Sequence, residues 1–270
     1  MGQGRLAAVR TLYVIGMGAG DPEHLTVQAI NAMNRVDLFL VLDKGEVKAD
    51  LVELRQEVLR RYVDRPGYRV VHGRDPERDR TATSQAYGAA VQDWRRRRAD
   101  VCEQMLLDEL EDGQVGAFLV WGDPSLYDST IGIIEDVVAR GTLDLDWHVL
   151  PGISSISALA ARHRVVLNQV AGGVQLTTGR RLSTGLPADV DDVVVMLDPV
   201  GRFAGLTGQG LDIYWGAYVG TPDELLVSGP VDEVADEILR LRSAARDRKG
   251  WIMDSYLLRR PSPDAGGDAT

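Results

Sequence analysis

Residues Ile15–Thr26 read IGMGAGDPEHLT and follow the apolar run Leu12-Tyr13-Val14. An apolar run that breaks into three alternating glycines before a helix is the pattern of a strand–loop–helix unit that holds a nucleotide. Three readings compete. A dinucleotide-binding loop has support from Asp43, which ends the next apolar run where an acid commonly holds a ribose. Against it, the glycines are spaced GxGxG rather than GxGxxG, and Asp21 sets a carboxylate where a pyrophosphate would meet the helix N-terminus. A P-loop fails for want of the Gly-Lys-Ser/Thr ending. The third reading is a loop lining a pocket for something uncharged or cationic. The plain structural alternative is that Asp21 caps a helix starting at Pro22.

Outward from this stretch, strand-like and helix-like segments alternate. Thr11–Ile15, Asp37–Leu42, Arg69–Val71, Val115–Val120 and Trp147–Leu150 read as strands. Pro22–Asn34, Ala49–Tyr62, Thr81–Leu110 and Ser129–Arg140 read as helices, the second from the spacing of Leu51, Leu54, Val58 and Leu59. This alternation predicts an α/β domain with a mostly parallel sheet. Beyond about His163, Gly- and Pro-rich breaks separate shorter segments. Strands are expected at Val174–Thr178, Asp192–Leu197, Asp212–Ala217 and Trp251–Asp254, and a helix at Val231–Leu241. The expected organisation is an N-terminal extension (1–10), an N-terminal α/β domain (11–163), a C-terminal α/β domain with a mixed sheet (164–258) and a disordered tail (259–270).

Composition narrows the function classes. The 270 residues are 44% hydrophobic and 26% charged, ordinary for a water-soluble fold of one large or two modest domains. No apolar run approaches the roughly 20 residues of a membrane span, and the N-terminus lacks a signal-peptide core. The formal charge of −10 argues against bulk nucleic-acid binding. Cys102 is the single cysteine, which excludes a disulfide framework and a thiolate metal cluster and makes the cytoplasm the default compartment. His24, His72, His148 and His163 show no metal-ligand spacing. The run Arg95–Arg98 reads as a solvated helix face.

Two more motifs stand at strand ends, where ligands bind in doubly wound sheets. One is VWGDPSLYDST (Val120–Thr130), with Gly122-Asp123-Pro124 at a tight turn. The other is Pro151-Gly152-Ile153-Ser154-Ser155, in which a serine in isolation reads as a helix cap. Taken together and in order, GxGxGDPxxLT, GDP and PGxSS resemble the motifs of the tetrapyrrole (corrin and porphyrin) methylases over residues 11–256. The resemblance implies two α/β domains with S-adenosylmethionine held in the cleft between them. That cofactor carries a sulfonium and no phosphate for Asp21 to repel. The segments VLDKGEVKADL (41–51), DPERDR (75–80), AVQDW (90–94) and WGAYVGTPDE (215–224) resemble the branch of the family that methylates a precorrin ring carbon in cobalamin synthesis and releases a two-carbon acyl group as acetate. A homodimer is implied as well.

Residue by residue, the resemblance assigns cofactor contacts to Ala19 (where the family commonly has Pro), Trp121, Gly122, Asp123, Leu126, Tyr127, Ser154, Ser155, Met196, Val219, Gly220, Gly229 and Pro230. For Met196 the plain alternative is core packing. Methyl transfer from a sulfonium asks mainly for alignment and a dry site. Loss of the acyl group needs a base to activate water. Asp43, Lys44, Glu46 and Tyr127 are the strand-end candidates, with Asp43 and Tyr127 preferred. The rival expectations are a sibling enzyme acting at another ring carbon and a non-catalytic nucleotide-binding regulator. Arg162, Arg164, Arg180 and Arg181 are the arginines expected to offer a carboxylate-bearing ring a partner.

Overall fold

The computed structural model describes residues 9–43, 49–77, 87–182, 185–187 and 189–261, with backbone alone at 43, 49–51 and 87. Lys44, Glu46, most of the N-terminal extension and the tail from 262 on lie outside the described residues. The chain forms two compact units: Met1–Gly18 with Pro22–Ile153, and Ala19–Asp21 with Ser154–Thr270.

The first unit holds β1 (Arg10–Gly16), β2 (Leu38–Asp43), β3 (Arg69–Arg74), β4 (Val115–Val120) and β5 (Leu145–Leu150). They form one sheet in the order β3-β2-β4-β1-β5, and every pair is parallel, as expected. Its helices are α1 (Val27–Met33), α2 (Ala49–Tyr62), α3 (Tyr87–Glu109) and α4 (Thr130–Ala139). Parallel strands covered on both faces carry near-continuous apolar runs, as VGAFLV in β4 does. Alternate residues go to opposite faces. Leu12, Val14, Phe118 and Val120 join a core with Cys102 and Leu106 of α3 and Ile133 and Ile134 of α4. Ile15, Ala117 and Leu119 join the other, with Ala29 and Met33 of α1 and Val58 of α2. The chain leaves the adjacent strands β1 and β4 toward opposite sides of the sheet order. Open α/β sheets bind ligands at the carboxyl ends of strands where the order reverses in this way.

The second unit holds α5 (Ser155–His163), β6 (Val174–Thr178), α6 (Gly179–Leu182), β7 (Asp192–Met196), β8 (Asp212–Ala217), β9 (Leu225–Pro230), α7 (Val231–Lys249) and β10 (Asp254–Arg259). The sheet order is β6-β7-β10-β8-β9. β6 and β7 pair in parallel and the other pairs are antiparallel, so the sheet is mixed, as expected. Val193, Val195, Ile213, Trp215 and Tyr256 pack against Ala235 and Ile238 of α7 and Phe203. A buried polar network crosses this core. Arg242 of α7 meets Asp254 at 2.7 Å, the Trp215 indole N–H donates to Asp254 at 2.8 Å, and the Tyr256 hydroxyl donates to Asp198 at 2.7 Å. Each buried charge therefore has a partner, which keeps its desolvation tolerable.

Four expectations are corrected. The helix expected over Pro22–Asn34 is a 3-10 turn, Pro22–His24, followed by α1. Asp21 precedes the 3-10 turn and is not the cap of α1. Thr26 is, with its hydroxyl accepting from the Ala29 N–H at 3.0 Å. Thr26 stands one turn before Ala29, the first residue of α1 that reaches the core. The last strand lies at Asp254–Arg259 rather than Trp251–Asp254, since its register is set by pairing with β7 and β8. β9 was not anticipated. The arginine run is not one solvated face. Arg98 is buried and pairs with Asp75 at 2.9 Å.

Candidate active site

In the first unit, three strand ends meet backbone to backbone. Gly18 and Gly122 form a bridge, with the Gly122 N–H donating to the Gly18 carbonyl at 2.8 Å. A Cβ on Gly16 would lie 2.5 Å from the Gly152 nitrogen, and one on Gly152 would lie 2.2 Å from the Gly122 carbonyl oxygen. Only glycine fits such an approach. The glycines after β1, β4 and β5 thus build a single surface of main chain.

Asp123 fastens it. One carboxylate oxygen accepts from the backbone N–H and the hydroxyl of Ser125. The other accepts from the Gly152 N–H at 2.9 Å. Burial raises the Asp123 pKa, but the hydrogen bonds from Ser125 and Gly152 outweigh it and hold the carboxyl below its usual range. The carboxylate acts inward, on the loops, so its geometry is that of a positioning group. Trp121, beside it, packs on the core, and its indole N–H is buried with no hydrogen-bond partner. A buried orphan donor is costly and fits a ligand that brings an acceptor. Leu126 is half-buried, and Tyr127 is exposed with a left-handed backbone, φ 51°. Strain of this kind in a bulky residue gathers at ligand sites.

The loop is anchored from below. The Ser129 hydroxyl accepts from Arg98 at 2.8 Å rather than capping α4. The Arg98 guanidinium lies 4.7 Å over the Trp94 ring. The neighbouring Cys102 thiol is pushed up to about 12, chiefly by burial. A thiol kept neutral in this way is no nucleophile. Asp43 ends β2, at the same carboxyl edge of the sheet as Gly16 and Val120.

In the second unit, Ala19 is buried in a small apolar cluster with Ala158, Leu159 and Val219. Gly20 follows at φ 150°, with room for no side chain against Thr221. The departure from proline at Ala19 therefore leaves a well-packed position. Ser154 caps α5, accepting from the Ser157 N–H at 3.2 Å, as the plain reading had it. Ser155 is the first residue of that helix. Met196 ends β7, and the exposed Leu197 after it has φ 53°. Asp198 then gathers the Val200, Gly201 and Arg202 N–H groups. Tyr218 (φ 50°) precedes Val219 and Gly220, and the Gly220 N–H donates to Glu224 at 2.8 Å. Left-handed non-glycine residues thus adjoin Leu126, Met196 and Val219, three of the expected contact residues.

The sheet register brings Met196 opposite Ser255 and Ser255 opposite Gly216, so the carboxyl ends of β7 and β8 flank the start of β10 near Val219. Gly229 and Pro230 lie opposite Ile213 and Asp212, at the far end of β8, and do not join them. Leu225 and Leu226 stand at the near end instead, and Leu226 packs on the Ala19 cluster. The sequence did not single out Leu159 and Leu226 as the packing partners of Ala19 and Val219, because apolar residue type carries no such signal. Arg162 is spoken for by Glu224 at 2.6 Å.

The fold and the glycine-lined strand ends are those of one α/β unit with a parallel sheet and a second with a mixed sheet, and comparison with known proteins gives the class: a methyltransferase of the tetrapyrrole type. The family model "Tetrapyrrole (Corrin/Porphyrin) Methylases" matches residues 11–235, and the chain belongs to that family. It is 48% identical over 254 residues to a precorrin-6A synthase [deacetylating] from Sinorhizobium sp, covering 94% of this chain and 97% of the relative. The structure of a putative cobalamin synthesis related protein from Corynebacterium diphtheriae is similar with TM-score 0.80 and 35% identity over 94% of this chain and 100% of that one. A Thermus thermophilus uroporphyrin-III C-methyl transferase complexed with S-adenosyl homocysteine shares the fold, with TM-score 0.55 and 19% identity over 92% of each chain.

Proposed function

We propose that the protein is an S-adenosylmethionine-dependent C-methyltransferase of corrin biosynthesis that methylates precorrin-5 at C-1 and releases the extruded acyl group as acetate. The observation that carries this reading is the 48% identity to a precorrin-6A synthase [deacetylating] over nearly the whole of both chains. The residues present fit the cofactor. Gly16, Gly18 and Gly152 pack the strand ends closely, and Gly122, where a Cβ would meet nothing, leaves main chain open to a ligand. The orphan Trp121 N–H wants an acceptor, and no phosphate is present to oppose Asp21.

When bound, S-adenosylmethionine supplies a methyl group already activated by its sulfonium. Trp121, Gly122, Leu126 and Tyr127 hold its amino-acid end in this reading, with Ser154 and Ser155. Met196, Val219 and Gly220 hold the adenosine. Ala19 and Asp123 support the loops that carry these contacts, and Gly229 and Pro230 contribute none. The chain's task in methyl transfer is alignment. In deacylation, a base takes a proton from water as it adds to the acyl carbonyl, the bond to the ring carbon breaks, the ring keeps the electron pair and acetate leaves. Asp43 at the end of β2 and the exposed Tyr127 are the groups proposed to manage that proton. A homodimer in the cytoplasm completes the reading, with the dimer open to sedimentation analysis.

Mass spectrometry of the product from precorrin-5 and S-adenosylmethionine tests the assignment. A gain of one methyl group with acetate in the medium is the expected result. Methylation without acetate would point to another ring carbon, and no methylation at all would sink the reading.

A further inference from the structure

We propose that a cavity on the edge of the second unit's sheet binds a carboxylate arm of the ring substrate, a placement that rests on the function proposed above. The cavity has a volume of about 340 Å³ and is lined by Gln175, Thr177, Arg180, Arg181, Leu182 and Val193, among others. Gln175 and Thr177 stand two apart on β6 and so share a face. Val193 of β7 is the register partner of Gln175. α6 follows β6 directly and brings Arg180 and Arg181 to the same opening.

The chemistry of the lining selects an anion with hydrogen-bonding oxygens. Two adjacent guanidinium groups offer planar forks matched to carboxylates. Each has contacts of its own within the chain, yet five N–H donors per group leave capacity for a ligand. The side-chain oxygen of Gln175 is buried with no hydrogen-bond partner. An amide can present either its oxygen or its NH2 at that position, so Gln175 can meet a carboxylate or a protonated carboxyl group. Leu182 and Val193 supply apolar wall for the methylene groups of such an arm. The volume lies at the small end of ligand pockets, suited to an arm rather than to a whole macrocycle. The chain carries a net charge of −10, so its long-range field opposes a polycarboxylate. Attraction must come from a local cluster of this kind.

Uroporphyrin, a stable polycarboxylate tetrapyrrole, is the probe, with its methyl ester as the control. Quenching of tryptophan fluorescence in the full chain reads binding, and S-adenosylhomocysteine is titrated in parallel. The expected result is that R180Q/R181Q weakens uroporphyrin binding ~10-fold or more. R180K/R181K, which keeps the charge but not the fork, should fall between the parent and R180Q/R181Q, and S-adenosylhomocysteine affinity should be equal in all three. The ester should bind more weakly than the acid to the parent and equally to both variants. The lysine pair guards against a folding defect, since it keeps the charge and the stem. Uroporphyrin affinity unchanged in R180Q/R181Q, or no preference for the acid over the ester, would overturn the proposal. Failure of the parent to bind S-adenosylhomocysteine would instead strike the proposed function, while the uroporphyrin comparison still decides the cavity.

Discussion

The Asp123 carboxylate accepts the Gly152 N–H at 2.9 Å and so ties the loop after β4 to the loop after β5. The same side chain accepts from Ser125 twice, which makes it the knot of the strand-end surface rather than a free acid.

Asp123→Asn keeps the shape and loses one acceptor oxygen. Stability should fall by about 1–2 kcal/mol, the scale of hydrogen bonds to a charged group. The pH dependence has a definite sign. The folded carboxyl sits below its usual pKa. Its contribution is therefore present above the ordinary carboxylate range and lost as pH falls through the lowered folded value. Urea titrations from pH 7 down to 3 should show the gap between parent and variant closing in acid. A gap that widens in acid would contradict the assignment of Asp123 as a stabilised anion.

Gly152→Ala places a Cβ 2.2 Å from a backbone carbonyl oxygen that cannot rotate away. The strand ends must separate, at a cost of about 1–3 kcal/mol or more. S-adenosylhomocysteine affinity should fall along with the melting temperature, because the distorted surface is the proposed cofactor cradle. A variant that melts and binds like the parent would show that Gly16, Gly122 and Gly152 do not form one rigid surface.

Asp75 and Arg98 are each 7% exposed in their side chains. Asp75→Ala leaves a buried guanidinium unpaired and should cost about 3 kcal/mol. Asp75→Leu combined with Arg98→Met removes both charges and should recover much of that loss. A double-mutant cycle by denaturant unfolding measures the coupling. Additive losses would show that the two side chains do not act as a pair. Single Asp75 variants should also loosen the Trp121–Ser129 loop, since Arg98 holds Ser129.

Cys102 should resist a thiol reagent at pH 8 in the native protein and react fully in denaturant. Burial lifts its pKa to about 12, and the Arg98 charge offsets this only in part. Rapid labelling of the folded chain at that pH would place the thiol in contact with solvent.

Local sequence was sufficient wherever one signal dominated. VGAFLV and DIYWGA announced β4 and β8 because a buried strand needs a continuous apolar run. Asp21 among the glycines argued against a phosphate ligand before any fold was known, since a carboxylate and a phosphate at one helix start repel each other. Paired apolar cues did not settle β9 or β10. Those strands are short, and their limits come from hydrogen-bond partners far away in the chain. Tertiary structure alone decided why Gly16 and Gly152 must be glycine, as the clashing atom belongs to another strand's backbone. It also turned Asp123 inward, removed Gly229 and Pro230 from the company of Val219, and buried one arginine of a run of four. The reason is common to all four. Residue type states what a side chain can do, while register and the close approach of distant segments determine what it meets.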